Sequence, residues 1–215
     1  MRTHQWRTLA LAATLGMGAA GAQAALQGRD LDGNAATFEA YYDTTQNISW
    51  LADIGAGNEG RNWPDAVVWA GQLNLNGVTG WRLPKTPVHD STCAIQDADF
   101  SGGLGCTGSE MGHLFAIDGI SVASPGPFSN LGISAYWSAD GFVERMSQGQ
   151  YKFAYLFDRG FTAAGLVSSA VLPAWAVHDG DVGNVVAAVP EPGTYAMMLG
   201  GLLALGAVAR HRKPR

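Results

Sequence analysis

Apolar positions in this chain of 215 residues form two long blocks near its ends, at 9–20 and 194–209, and short, broken runs between them. Residues 37–42 and 48–51 are mixed apolar and aromatic segments on either side of the polar stretch Asp43-Thr44-Thr45-Gln46-Asn47. They read as two short strands joined by a turn. Residues 55–60 are a glycine-rich loop, after which Asn62 is a natural N-cap, with Pro64 in the first turn and Asp65 complementing the helix dipole. A helix over 63–73 follows, burying one face through Ala66, Val67, Trp69, Ala70 and Leu73 and ending at Asn76-Gly77.

Gly80-Trp81-Arg82-Leu83-Pro84 is a short extended segment that buries Trp81 and Leu83, leaves Arg82 on the other side to pair with Asp179 or Asp181, and stops at Pro84. Ser109 caps a second helix from Glu110 through Met111, Leu114, Phe115 and Ile117. Residues 134–138, 151–157 and 174–177 read as strands, with a turn at Ser147-Gln148-Gly149-Gln150. The last strand is expected to close the domain beside the first hairpin. No repeat of 20 to 50 residues is present, and the whole is an α+β pattern, two helices against a small antiparallel sheet.

The end blocks have a different meaning. Arg2 and Arg7, the apolar stretch 9–20 and then Ala22-Gln23-Ala24 have the order of a secretory signal peptide over residues 1–24, with cleavage after Ala24. At the other end, Pro190-Glu191-Pro192 precedes the apolar run 194–209 and the basic cluster 210–215. This tripartite tail resembles the PEP-CTERM sorting signal of Gram-negative bacteria. The resemblance implies that an exosortase reads Pro190, Glu191 and Pro192 and that residues 189–215 form a sorting segment with a transmembrane helix. Sixteen residues make a helix of about 24 Å, short of the roughly 30 Å hydrocarbon core, which suits a transient anchor. The basic cluster would stay cytoplasmic, with the domain exported. A permanent anchor is the alternative.

Charge is unevenly placed. Six of the 13 basic residues lie in the end segments, so residues 25–189 hold 7 Lys and Arg against 17 Asp and Glu, a net charge of −10. Such a domain repels a phosphate backbone, which argues against a nucleic-acid partner. Cys93 and Cys106 are the two cysteines, both within the exported part, and are expected to form a disulfide closing a 14-residue loop. Their spacing is not the C-x-x-C of a redox pair.

Several motifs of the middle region recur in one order: Tyr42-Asp43-Thr44-Thr45, Ile48-Ser49-Trp50-Leu51, Trp69-Ala70, Gly80-Trp81-Arg82-Leu83-Pro84, Ser109-Glu110-Met111-Gly112-His113-Leu114, Tyr136-Trp137-Ser138 and Trp175-Ala176-Val177-His178-Asp179-Gly180-Asp181. In this order they resemble the Lcl C-terminal-domain family, over residues 37–182. The element Trp81-Arg82-Leu83-Pro84 is also similar to one in formylglycine-generating and sulfatase-modifying proteins. The resemblance implies a C-type-lectin-like domain over residues 25–188. It gives Trp81, Arg82, Leu83, Pro84, Glu110, His113, Trp137, Trp175, Asp179 and Asp181 a structural role. It also implies a binding function, since the family includes a collagen-like adhesin that binds sulfated glycosaminoglycans. Lys85 stands where the family usually has threonine after the proline, and His178 where it usually has arginine.

No H-E-x-x-H, G-x-S-x-G or nucleophilic cysteine beside a histidine occurs, so no catalytic residue, cofactor or metal is expected. The G-x-G-x-x-G of residues 55–60 is read as a loop, because no acidic residue on a second parallel strand follows it. Asp30-Leu31-Asp32-Gly33-Asn34 lacks the spacing of a calcium loop, and His113 is read as a hydrogen-bonded structural imidazole. The expectation is an exported surface or biofilm-matrix protein that binds polysaccharide or another matrix component. Trp63, Tyr136, Trp137 and Tyr151 are the aromatics expected to stack on sugars. A secreted carboxylate-dependent hydrolase and a purely structural matrix protein are the alternatives.

Overall fold

The computed structural model describes residues 26–34, 36–57 and 59–185. Residues 1–24, expected to be a signal peptide, the motif Pro190-Glu191-Pro192 and the apolar run 194–209 lie outside the described residues. Among the described residues no helix is long and apolar enough to cross a membrane.

Among the described residues the fold is α+β, with two α-helices and two five-stranded antiparallel sheets. The first sheet has the order β10-β1-β2-β3-β9, from β1 (Leu26–Asp30), β2 (Ala40–Asp43), β3 (Ile48–Leu51), β9 (Val177–Asp179) and β10 (Asn184–Val185). The hairpin β2–β3 thus lies directly beside the closing strand, with Trp50 opposite Val177 and Ile48 opposite Asp179. The second sheet has the order β4-β5-β8-β7-β6, from β4 (Ile95–Gln96), β5 (Ser101–Leu104), β6 (Ala135–Val143), β7 (Gln150–Leu156) and β8 (Phe161–Leu166).

Both helices start where their caps place them. Asn62 accepts the N–H of Asp65 at the head of α1 (Trp63–Gln72), and Ser109 accepts the N–H of Gly112 at the head of α2 (Glu110–Ala116). The buried stripe of α1 is narrower than its apolar spacing predicts. Ala66 and Ala70 are buried, while Val67 is 39% exposed. The helix stops at Gln72, and Asn76-Gly77 instead turns the chain back within a small loop bridged by Leu75 and Val78. Within the glycine-rich stretch, Ile54–Gly57 winds into a 3-10 turn.

Two segments sew the sheets together. Arg82 exchanges both backbone hydrogen bonds with Val177 at 2.8 Å, and Pro84 O accepts the N–H of Ala139 at 2.7 Å and the hydroxyl of Ser138 at 3.0 Å. A bulge in β6 between Trp137 and Gly141 frees those groups from the ladder. The second segment leads into β9. Ala176 O accepts from Leu51 N on one side, and Pro173 O accepts from Trp137 N on the other.

Trp175, fully buried, is the centre of the core between them. Its ring lies 4.8 Å from Trp50, 4.9 Å from Phe128 and 5.4 Å from Phe157, and its indole N–H donates to Leu51 O at 2.8 Å. Trp50, equally buried, has no partner for its indole N–H among the described residues. The two tryptophans therefore predict different responses to the same change. Trp175→Phe loses ring volume and strands a buried carbonyl lone pair, whereas Trp50→Phe loses volume and removes an unsatisfied donor. Trp175→Phe should be the more destabilising by about 1–2 kcal/mol in denaturant unfolding. Equal losses would show that the hydrogen bond contributes nothing net.

Candidate functional site

The extended segment at Trp81 positions one polar cluster. Trp81 and Leu83 point into the core at 2% exposure, so Arg82 faces the opposite side, the side of Asp179 two residues beyond its ladder partner Val177. Its guanidinium makes a two-pronged pair with Glu110, Nη1 to Oε2 at 2.8 Å and Nη2 to Oε1 at 2.7 Å, and also donates to Asp179 Oδ1. Glu110 Oε2 also accepts the Lys85 N–H at 2.8 Å, and Lys85 O accepts the Glu110 N–H at 3.0 Å. The first residue of α2 is thereby locked to the Trp-Arg-Leu-Pro segment. Burial disfavours the Arg82 charge, but the hydrogen bonds and charges of Glu110 and Asp179 outweigh it and raise the guanidinium above its ordinary value.

Asp181 goes elsewhere. It pairs through both oxygens with Arg29 of β1, whose side chain is 1% exposed, lies 5.0 Å from the Tyr42 ring centre and also donates to Gly28 O and Gln27 Oε1. Two arginine–carboxylate pairs thus tie the closing segment to the rest of the fold. Cys93 and Cys106 form a disulfide, and Asp90 braces the loop between them by accepting from Thr92 and from Gly108 N. Behind the bridge, a Cβ on Gly112 would sit 1.7 Å from Cys106 O, so α2 approaches this loop as closely as it does only because residue 112 has no side chain.

His113 is the next functional-type residue along α2. Its Nε2 lies 3.0 Å from Thr45 Oγ1 and 3.9 Å from Asp118 Oδ2. Asp43, fully buried at the end of β2, accepts the N–H groups of Thr45 and Gln46 and the Thr45 hydroxyl at Oδ1, and Gln46 Nε2 at Oδ2. Asp118 follows the helix with a side chain only 3% exposed. Its Oδ2 has no hydrogen-bond partner among the described residues. Burial and the nearby Asp43 carboxylate push the Asp118 carboxyl up to about 6, against a smaller opposing pull from His113. Neither aspartate was singled out from the sequence. The sequence around Asp43 signals a turn, and nothing local to Asp118 signals a site.

A second feature is a shallow cavity of about 520 Å³ beside β6 and β7, lined in part by His89, Asp99, Phe142, Arg145, Tyr151 and Lys152. Phe142 and Tyr151 lie with ring centres 5.6 Å apart, and Arg145 pairs with Asp99 at 2.8 Å. Of the aromatics expected to stack on sugars, Tyr136 and Trp137 are fully buried in the core, and the Trp137 indole donates to Arg61 O. Both faces of β6 are covered at these positions, which removes them from any surface. Trp63 is half-buried, with Lys152 Nζ 3.6 Å from its ring centre. Tyr151 alone of the four lies on the groove.

Residues 188–213 match the PEP-CTERM protein-sorting motif, within which Pro190, Glu191 and Pro192 fall. The chain therefore carries the signal of an exported protein that an exosortase sorts. No curated protein and no solved structure matches it.

The arginine pairs give a pH dependence of definite sign. Hydrogen bonds from Arg29 and Arg82, opposed by partial burial, hold the Asp181 and Asp179 carboxyls below their ordinary values. The unfolded chain then takes up protons first as the solution is acidified. This stabilisation is complete above about pH 4 and is lost as pH falls through the lower folded values. Asp181→Asn should cost about 2–3 kcal/mol at pH 7 by leaving Arg29 buried without its carboxylate, the low side for a buried pair because Asp181 is 36% exposed. In urea unfolding the difference from the parent should shrink below pH 4; a difference constant from pH 7 to pH 3 would contradict this account.

Proposed function

We propose that this is a cell-surface or extracellular-matrix protein, sorted by an exosortase, whose domain over residues 25–188 is lectin-like, of the Lcl C-terminal type, and binds an acidic polysaccharide. The sorting motif is the observation that carries the reading, because it commits the chain to export. Residues 1–24 act as the signal peptide. Residues 189–215 hold the protein transiently in the inner membrane through the apolar run 194–209, with the cluster 210–215 inside.

The motif order over residues 37–182 supports the lectin-like reading, as does an antiparallel architecture in which the first hairpin pairs with the closing strand. The groove supports polysaccharide binding. Tyr151, half-buried on the groove with the buried Phe142 beneath it, offers ring surface of the kind that stacks on the apolar faces of sugars. Arg145, Lys152 and His89 border it with Asp99, which pairs with Arg145, so Lys152 supplies a local positive excess within a domain whose overall charge of −10 opposes anions. Local basic groups on an acidic domain favour an anionic ligand, whose carboxylates or sulfates they meet by charge-assisted hydrogen bonds. The hydrolase alternative has less support, since Asp43, one of the two carboxylates beside His113, already uses both oxygens in hydrogen bonds.

The test uses heparin as an anionic polysaccharide and dextran as a neutral one. The full-length chain in detergent should bind immobilised heparin, release it with rising salt, and ignore dextran. Arg145→Ala with Lys152→Ala should weaken heparin binding about tenfold or more, and Tyr151→Ala by about 2- to 10-fold. Binding unchanged in these variants would remove the groove from the reading, and no binding by the parent would leave a structural matrix protein.

The sorting step has its own measurement. Glu191→Gln should leave the protein full-length and membrane-retained in a host carrying an exosortase, while the parent is shortened. Equal masses for parent and variant, both with intact tails, would make residues 189–215 a plain anchor.

A further inference from the structure

We propose that Asp43, His113 and Asp118 form a binding site for a borderline divalent metal ion of the zinc type. One ligand atom from each residue lies within 4.8 Å of the other two. Three elements converge to place them: the end of β2, the body of α2 and the residue pair just past its C-terminus. Hydrogen bonds hold the convergence in place. Gln46 Nε2 bridges Asp43 Oδ2 and Glu110 O, joining the β2–β3 turn to the first turn of α2, and the Asp118 N–H reaches back to His113 O.

The observation that points to a ligand is Asp118. A carboxylate 97% shielded from solvent, with Oδ2 3.9 Å from the imidazole and without a hydrogen-bond partner among the described residues, incurs a desolvation cost that the pull of His113 offsets only in part. A cation between the three groups would satisfy it. The other two residues are prepared in the way ligands usually are. Asp43 is oriented by four hydrogen bonds, three of them on Oδ1, which leaves capacity on Oδ2. His113 keeps a quarter of its side chain exposed, giving an entry path and room for a water as a further ligand.

The donor set selects the metal. One imidazole with two carboxylates suits zinc and its neighbours, whereas calcium and magnesium favour oxygen alone. Ligand atoms about 2 Å from zinc stand roughly 3.3–3.6 Å from one another in a tetrahedral site, so binding needs the side chains to close by about 1 Å. The Thr45 hydroxyl donates to Asp43, so its oxygen accepts a hydrogen bond from a protonated His113 Nε2 in the metal-free protein. Metal capture replaces that proton at Nε2 and moves the imidazole to its other tautomer. The acidic turn of Asp30, Asp32 and Glu39 brings ligand atoms equally close, but its oxygens accept from Gly33, Asn34 and Leu31 N–H groups and it offers no unpaired buried atom.

The test uses the full-length chain, purified in detergent through a tag free of histidine, stripped with chelator and titrated with zinc chloride. Calorimetry should show one equivalent bound, with a rise in unfolding temperature that calcium chloride does not reproduce. Asp118→Asn should weaken zinc binding at least about tenfold while leaving the metal-free protein as stable as the parent or more so. His113→Gln, which retains a donor to Thr45, should lose zinc likewise, and Asp32→Asn should bind as the parent does. Absence of a stoichiometric zinc site, or zinc binding unchanged in both Asp118→Asn and His113→Gln, overturns the proposal; calcium binding in place of zinc overturns the assigned metal class.

Discussion

The fold depends on one buried segment. Residues 174–177 are wholly excluded from solvent, and each makes the closure tighter in a different way. Trp175 fills the space between the two sheets and hydrogen-bonds to Leu51, Ala176 O accepts from β3, and Val177 pairs with Arg82. These contacts join positions more than 90 residues apart, so the sheet edges and the core cannot form independently of chain closure. The loop-closure entropy of such contacts is large, and a single indole with partners in both sheets is a compact way to offset it.

That closure also sets the polar clusters. Because Arg82 is in register with Val177, its guanidinium falls beside Asp179, and the same guanidinium anchors Glu110 at the start of α2. The helix is fixed at its other side by the Gly112 contact with Cys106, inside the disulfide loop. With both sides held, His113 can only face the β2–β3 turn. The position of one imidazole thus follows from a strand register, an ion pair and a missing side chain.

What the sequence revealed were the features with local causes. Asn62 and Ser109 cap helices through bonds three residues away, and the β2–β3 hairpin is specified by its own polar turn. The alternation of Trp81, Arg82 and Leu83 foretells which side each takes. Less legible were the strands whose identity lies in their partners. Ser101–Leu104 carries two glycines, one of them at positive φ, and becomes β5 through the pairing of Gly103 with Thr162. The sidedness of Tyr136 and Trp137 was hidden because successive residues of β6 are both covered, which defeats a period-two reading. Asp43 and Asp118 lie 75 positions apart, and no spacing rule joins a turn aspartate to one that follows a helix.

The acidity of the domain has a structural origin that sets Asp118 apart. A fold rich in loops leaves many backbone N–H groups outside ladders, and each needs an acceptor. Short carboxylates meet that need here: Asp30 accepts from Gly33, Asp32 from Asn34, Asp53 from Gly55, Asp90 from Thr92 and Gly108, Asp97 from Asp99, and Asp140 from Thr86. Glu39 and Glu110 do the same for Leu31 and Lys85. The net charge of residues 25–189 therefore reflects turn construction more than recognition of a cation-rich partner. Asp118 stands outside this pattern. Its side chain is 3% exposed, and its inner oxygen meets no N–H group among the described residues. Other acids without a backbone donor have a side-chain one, as Asp179 has Arg82 and Asp65 has Asn62, whereas Asp118 Oδ2 has neither among the described residues, and the imidazole and carboxylate beside it suit a cation as the partner proposed above.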